Sequence, residues 1–180
     1  MIRPDDILYF WFTECSPKDW WQKSKDFDDL VKRRFLNLYE AAAAGELSHW
    51  RTAIRGRLAE IIVLDQFPRN MFRDSPRAFA ADATALVLSQ EATKAPGYER
   101  LTPEEKAFLL MPFMHSESPA VHTQAVRLFD QPGLEDNLDF EHRHKAIIDR
   151  FGRYPHRNAI LGRVSTPEEI AFLKEPGSSF

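Results

Sequence analysis

Apolar residues recur three and four apart along almost the whole of this 180-residue chain, and its prolines and glycines fall where one such run gives way to the next. That spacing is helical. A half-buried strand would need sustained alternation, and no segment here shows it. The chain therefore reads as all-α. Pro4 opens a first helix with Asp5 and Asp6 in its first turn, where acidic side chains suit the helix dipole. A long second helix is expected from about Lys25 to Ala44, with a stripe of Phe27, Val31, Leu38 and Ala42 and with Gly45 as its left-handed cap. The third runs from about Ala53 to Phe67, where Pro68 stops it, and Ser75-Pro76 opens a fourth that reaches about Lys94.

Thr102-Pro103-Glu104-Glu105 and Thr166-Pro167-Glu168-Glu169 carry one start signal twice. Thr caps, Pro takes the first helical position, and the second Glu closes a capping box. Between them Ser118-Pro119 starts a helix ending near Asp130, and Pro132-Gly133 precedes another over about Leu138 to Arg150. The total is about eight helices, whose short loops fold neighbours back on one another as antiparallel pairs. No linker is long enough to separate a second domain from the first, so residues 1–180 are expected to form a single one.

Composition narrows the function classes. Hydrophobic residues make up 43% and charged residues 28%, which disfavours both a disordered and a membrane chain. The net charge of -3, with Lys and Arg dispersed, argues against nucleic acid as a partner. The longest apolar runs, Ile7–Phe12 and Ile61–Leu64, are far too short for a bilayer span. The opening Met1-Ile2-Arg3-Pro4-Asp5-Asp6 is acidic where a signal peptide is basic, so a cytoplasmic location is expected. The one cysteine, Cys15, cannot form an internal disulfide or a thiolate zinc site. Glu46-x-x-His49 and Glu141-x-x-His144 have the spacing of di-metal bundles, but no H-E-x-x-H occurs and no further facing glutamates stand out. Neither a metal nor a cofactor is expected.

Several polar residues fall on apolar helix faces. Asp65 shares a face with Ile54, Leu58 and Ile61, and His144 shares one with Phe140, Ile147 and Phe151, while His142 points outward. Arg34 sits between Phe27, Val31 and Leu38, His115 follows Phe108 and Met111, and Asp82 flanks Phe79 and Leu86. A buried unpaired charge costs several kcal/mol, so these groups must find one another or a ligand. Two readings stay open. They form an internal network that locks the helices in register, or they line a pocket.

The pocket's rim would come from Phe151-Gly152-Arg153-Tyr154-Pro155-His156-Arg157-Asn158, where a Gly and a Pro fix the backbone around a dense set of hydrogen-bonding groups. Asp65-Gln66-Phe67-Pro68-Arg69-Asn70 offers a second Arg–Asn pair, which a helix C-terminal cap would also explain. His115-Ser116-Glu117 places a base, a hydroxyl and an acid together, but without a nucleophile elbow it makes a poor triad. The Trp20-Trp21 pair and the Phe stripes read as core. The leading expectation is a pocket for a small anionic ligand, carboxylate or phosphate, held by Arg69, Arg153 and Arg157 with Asn70, Asp82, His115, Glu117 and Asn158 around it. His156 or His144 would be the acid–base group and Asp65 its orienter, in hydrolase or transferase chemistry. The alternative is a non-enzymatic helical-repeat scaffold that binds a peptide or partner protein, and either would be a monomer or homodimer.

Taken together, these segments resemble one family. They are Leu8-Tyr9-Phe10-Trp11-Phe12, Leu58 through Leu64-Asp65-Gln66-Phe67-Pro68-Arg69-Asn70, Arg77-Ala78-Phe79-Ala80 with Asp82, Met111-Pro112 with His115-Ser116-Glu117, and His144 through Asn158, followed by Leu161-Gly162-Arg163 and Thr166-Pro167-Glu168-Glu169. The likeness is to the bacterial domain-of-unknown-function family 924 and covers about residues 5 to 173. It implies a right-handed superhelical array like the tetratricopeptide-repeat folds. It implies no activity, since none is established for the family.

Overall fold

The structure is a computed structural model that describes residues 2–179, so Met1 and Phe180, the ends of the expected 1–180 domain, lie outside it. The described residues contain helices and no strand. Helix α1 (Pro4–Tyr9) runs into a π-helical turn, Phe10–Glu14, and is followed by α2 (Pro17–Trp21) and α3 (Lys25–Ala43). Then come α4 (Ile54–Asp65), α5 (Phe67–Met71), α6 (Asp82–Ala92), α7 (Pro103–Met114), α8 (Pro119–Phe129), α9 (Glu135–Phe151) and α10 (Pro167–Phe172).

Both Thr-Pro-Glu-Glu segments form the capping boxes expected of them. Thr102 accepts from the Glu105 N–H while Glu105 accepts from the Thr102 N–H, and Thr166 and Glu169 do the same at α10. Three boundaries differ from expectation. Pro68 does not stop α4, which ends three residues earlier at Asp65; it sits in the first turn of α5, where its missing N–H costs nothing. The expected fourth helix splits into a 3-10 turn, Pro76–Phe79, and α6. Helix α9 begins at Glu135, earlier than Leu138. These short extra turns raise the number of helical segments above the eight or so expected.

Helices α4 and α7 are the interior of the molecule. Every residue from Leu58 to Asp65 and from Ala107 to Met114 is buried, so each helix is enclosed all round where it passes through the core. The two pack on each other; α1, α3 and α6 cover α4, and α6, α8 and α9 cover α7. Successive packing of α6 on α7, α7 on α8 and α8 on α9 is what short loops between helices produce, and it is consistent with a repeat-like array. In α3 the inner stripe is Phe27, Val31, Phe35, Tyr39 and Ala42, with Leu38 only half-buried beside it. Arg34 escapes that face: its side chain is 39% exposed, pairs with Glu14 and lies 4.6 Å from the Phe10 ring centre. Phe140, expected inside, is 47% exposed. A smaller cluster of Ile147, Ile148, Tyr154 and Phe172 seats the segment after α9 against the rest.

Among the described residues no helix is long and apolar enough to cross a membrane.

Candidate functional site

A helix leaves its last carbonyls without intrahelical partners, and α4 and α7 both end inside the protein. The polar cluster forms there. Arg69 donates to the Asp65 carbonyl at 2.6 Å. At the end of α7 three consecutive carbonyls are taken by side chains: Met114 by the Tyr154 hydroxyl at 2.6 Å, His115 by Arg157 Nη2 at 3.0 Å and Ser116 by His122 Nε2 at 2.7 Å. Two of those three donors belong to the Phe151–Asn158 segment. Capping buried helix ends is thus one reason why cationic and phenolic groups point inward here.

The charged side chains then pair across the cluster. Asp65 Oδ1 lies 2.8 Å from His115 Nδ1 and 3.4 Å from Arg69 Nη1, and Gln66 donates to Oδ2 at 2.6 Å. Burial alone would raise the Asp65 carboxyl, but His115, Arg69 and these hydrogen bonds override it and hold it at about 2. Asp65 is therefore ionised at neutral pH. Burial, reinforced by Arg69, lowers His115 against the pull of Asp65, so the imidazole is neutral. Nδ1–H then donates to Asp65, and Nε2 keeps its lone pair. That nitrogen makes no hydrogen bond to the described residues, and the side chain is 17% exposed.

Arg69 also grips Asp82 with two parallel bonds of 2.9 Å. Arg157 approaches the same carboxylate only to 3.5 Å. Its guanidinium is 8% exposed, lies 4.5 Å from the Phe79 ring centre and 4.8 Å from that of Tyr154, and its buried Nε has no hydrogen-bond partner among the described residues. A cation this desolvated is held by one carbonyl bond, one long ionic contact and two aromatic faces.

The remaining sequence candidates divide by what they touch. Arg153 makes a two-bond pair with Glu169, and Asn158 donates to Glu169 and Ser165. Glu117 receives both Arg163 nitrogens and the Tyr154 N–H. These contacts fasten the Phe151–Asn158 segment to α10 and to the loop before α8. Asn70 turns away to Asp28 on α3. His144 gives its Nδ1–H to the Phe140 carbonyl at 2.7 Å, and burial pushes it down to about 3. Burial, then Arg157, pushes His156 down to about 4. The partners of Asp65 are thus His115 and Arg69, where the sequence makes it the orienter of His156 or His144. Among the described residues no group of three or more His, Cys, Asp or Glu side chains is placed to hold a metal ion.

The sequence model of the family described as bacterial protein of unknown function (DUF924) matches residues 7–177. The chain belongs to that family. A solved structure of a protein of unknown function from Agrobacterium tumefaciens is similar to this DUF924 chain, with 36% identity, a TM-score of 0.89, and coverage of 95% of this chain and 96% of that one. No curated protein matches it.

Of two further buried members of the cluster, His122 escapes the sequence reading and Glu141 enters it only through the metal spacing with His144. Both are legible in it. His122 shares a helix face with Ala125 and Phe129, and Glu141 shares one with His144 and Ile148, at the same three- and four-residue spacing that marks Asp65.

Proposed function

We propose that the open edge of this cluster binds a small anion, carboxylate or phosphate, and that His115 acts on it as a general base oriented by Asp65. The observation that carries the reading is Arg157. A buried guanidinium with an unpartnered Nε and a 3.5 Å ionic contact is poorly compensated, and a ligand anion would complete it. Arg69 and Asp82 reach solvent at the same edge as His115. Asp65 holds the imidazole in the tautomer whose Nε2 keeps its lone pair. In acyl or phosphoryl transfer Nε2 would take the proton of a water or hydroxyl as its oxygen bonds to the ligand's carbon or phosphorus. The imidazolium, stabilised by Asp65, would return that proton to the leaving oxygen. His144 and His156 are held neutral far below their usual range, which suits packing more than proton transfer near pH 7.

Long-range proton–nitrogen NMR of the imidazoles tests this during titration with inorganic phosphate and then acetate. The His115 Nε2 signal should shift saturably, the melting temperature should rise, and Arg157→Lys, which keeps the charge and loses the fork, should weaken both responses. His115 signals that ignore both anions, with no thermal shift, would exclude the site.

A further inference from the structure

His122 and Glu141 are both fully buried, 2.6 Å apart through Nδ1 and Oε1. The other imidazole nitrogen, Nε2, lies 2.7 Å from the Ser116 carbonyl oxygen. A carbonyl oxygen only accepts, so Nε2 carries a hydrogen. The Tyr154 hydroxyl, 3.2 Å from the same nitrogen, spends its own proton on the Met114 carbonyl and so faces Nε2 as an acceptor as well. The short Nδ1–Oε1 contact still needs one hydrogen. It belongs to a neutral carboxylic acid beside a neutral imidazole, or to an imidazolium beside a carboxylate.

Glu141 Oε2 decides between them, because it is buried with no hydrogen-bond partner among the described residues. A carboxylate spreads its charge over both oxygens, and here one of them would be unsolvated. A carboxylic acid instead donates through Oε1 and leaves only a neutral carbonyl oxygen unpaired, which costs far less.

We propose that Glu141 is a neutral carboxylic acid whose proton fixes His122 as the Nε2–H tautomer, and that this latch holds the Ser116 carbonyl and thereby aims His115. Its functional consequence rests on the anion-site reading above; the proton assignment does not. Burial raises Glu141 against the pull of His122, His142 and Lys145, in the same sense. The other titratable groups coupled to the pair are His144 on α9, which interacts with His122, and Tyr154 after it, which interacts with Glu141. Loss of the proton would leave Nδ1–H on the carboxylate and turn the Nε2 lone pair toward two oxygens, opening the turn. With Glu141 raised in the folded state, the latch is intact at low pH and is lost as pH rises through that raised value.

Glu141→Gln separates the two arrangements, since a glutamine amide can donate to Nδ1 as the acid does. Infrared difference spectra between wild type and Glu141→Gln at neutral pH should contain a protonated carboxylic acid band, and imidazole NMR should show neutral Nε2–H His122 in both proteins. Imidazolium signals for His122, or no acid band, would overturn the assignment. His122→Asn removes the donor to Ser116, and it should displace the His115 signals and weaken phosphate binding roughly tenfold, the worth of one hydrogen bond. Glu141→Gln should leave the His115 signals in place. Unmoved His115 signals in folded His122→Asn would sink the latch. If wild type ignores phosphate, the anion site fails alone, and the infrared and His122 measurements still decide where the proton sits.

Discussion

Asp65 Oδ1 and His115 Nδ1 stand 2.8 Å apart although fifty residues separate them in the chain. The fully buried carboxylate also faces Arg69, so its removal leaves a half-buried guanidinium with less compensation and an imidazole without its acceptor. Asp65→Ala should therefore cost about 3–5 kcal/mol in urea unfolding. The comparison is Asp26→Ala, an exposed site on α3, where little loss is expected. Asp28 on the same helix is no control: Arg73 holds it with bonds of 2.6 and 2.7 Å and Asn70 with one of 2.9 Å. Equal small losses at Asp65 and Asp26 would mean that the network contributes nothing.

Acid should weaken the fold in two stages. His144 titrates near 6.5 when unfolded and at about 3 in the folded protein, so below pH 6.5 the unfolded state binds more protons. Stability should start to fall there, by up to about 1.4 kcal/mol per pH unit for each such histidine. Asp65 acts lower down. Its folded value of about 2 lies beneath the usual 3.8, so its contribution is present above pH 4 or so and is lost as pH falls toward 2. Urea midpoints measured from pH 7 to pH 2 should show both slopes. His144→Gln should flatten the first and Asp65→Asn the second; an unchanged first slope in His144→Gln would mean that the ring is solvated.

Gly56 owes its identity to Trp50. A Cβ at residue 56 would lie 1.9 Å from the Trp50 carbonyl oxygen, and that neighbour is backbone, which cannot swing aside. Alanine would ordinarily gain up to about 1 kcal/mol in a helix. Here the clash wins, and Gly56→Ala should lose roughly 3 kcal/mol or more, with α4 displaced from the 3-10 turn at Ser48–Thr52. A thermal melt within a degree or two of wild type would show that the two segments can separate freely.

What the sequence could show followed from local chemistry. Thr102 and Thr166 marked helix starts because a capping box is written within four residues. Asp65, His115 and His144 stood out because an apolar stripe makes a polar member visible. Face patterns could not choose between partners, since the meeting of Asp65 with His115 depends on how α4 and α7 end beside each other. They also imply a one-faced α4, whereas Glu60, on the far side, is buried too, with Arg51 bound at 2.7 Å. Phe140 lies outside for the opposite reason, because the outer helix α9 buries a narrower stripe than its phenylalanines suggest. Tyr154, by contrast, reads as one more aromatic until the Met114 carbonyl beneath its hydroxyl is seen.

Arg153 separates fastening from binding within the Phe151–Asn158 segment. Its two bonds to Glu169, of 2.7 and 2.9 Å, close over the carboxylate that also caps Thr166 and receives Asn158. The Arg153 bond is the largest reason Glu169 is held at about 2, so the pair acts as a clasp between the loop after α9 and the start of α10. Arg157 faces the other way, toward Asp82 and the His115 carbonyl. Arg153→Ala should lower the melting temperature and loosen α10, yet leave phosphate affinity within about twofold of wild type, as a screened charge off the site does. Arg157→Lys should weaken phosphate binding. Both are read by calorimetric titration of the folded variants. Loss of binding in Arg153→Ala with α10 still in place would move the ligand from the α4–α7 junction to the outer face of the segment.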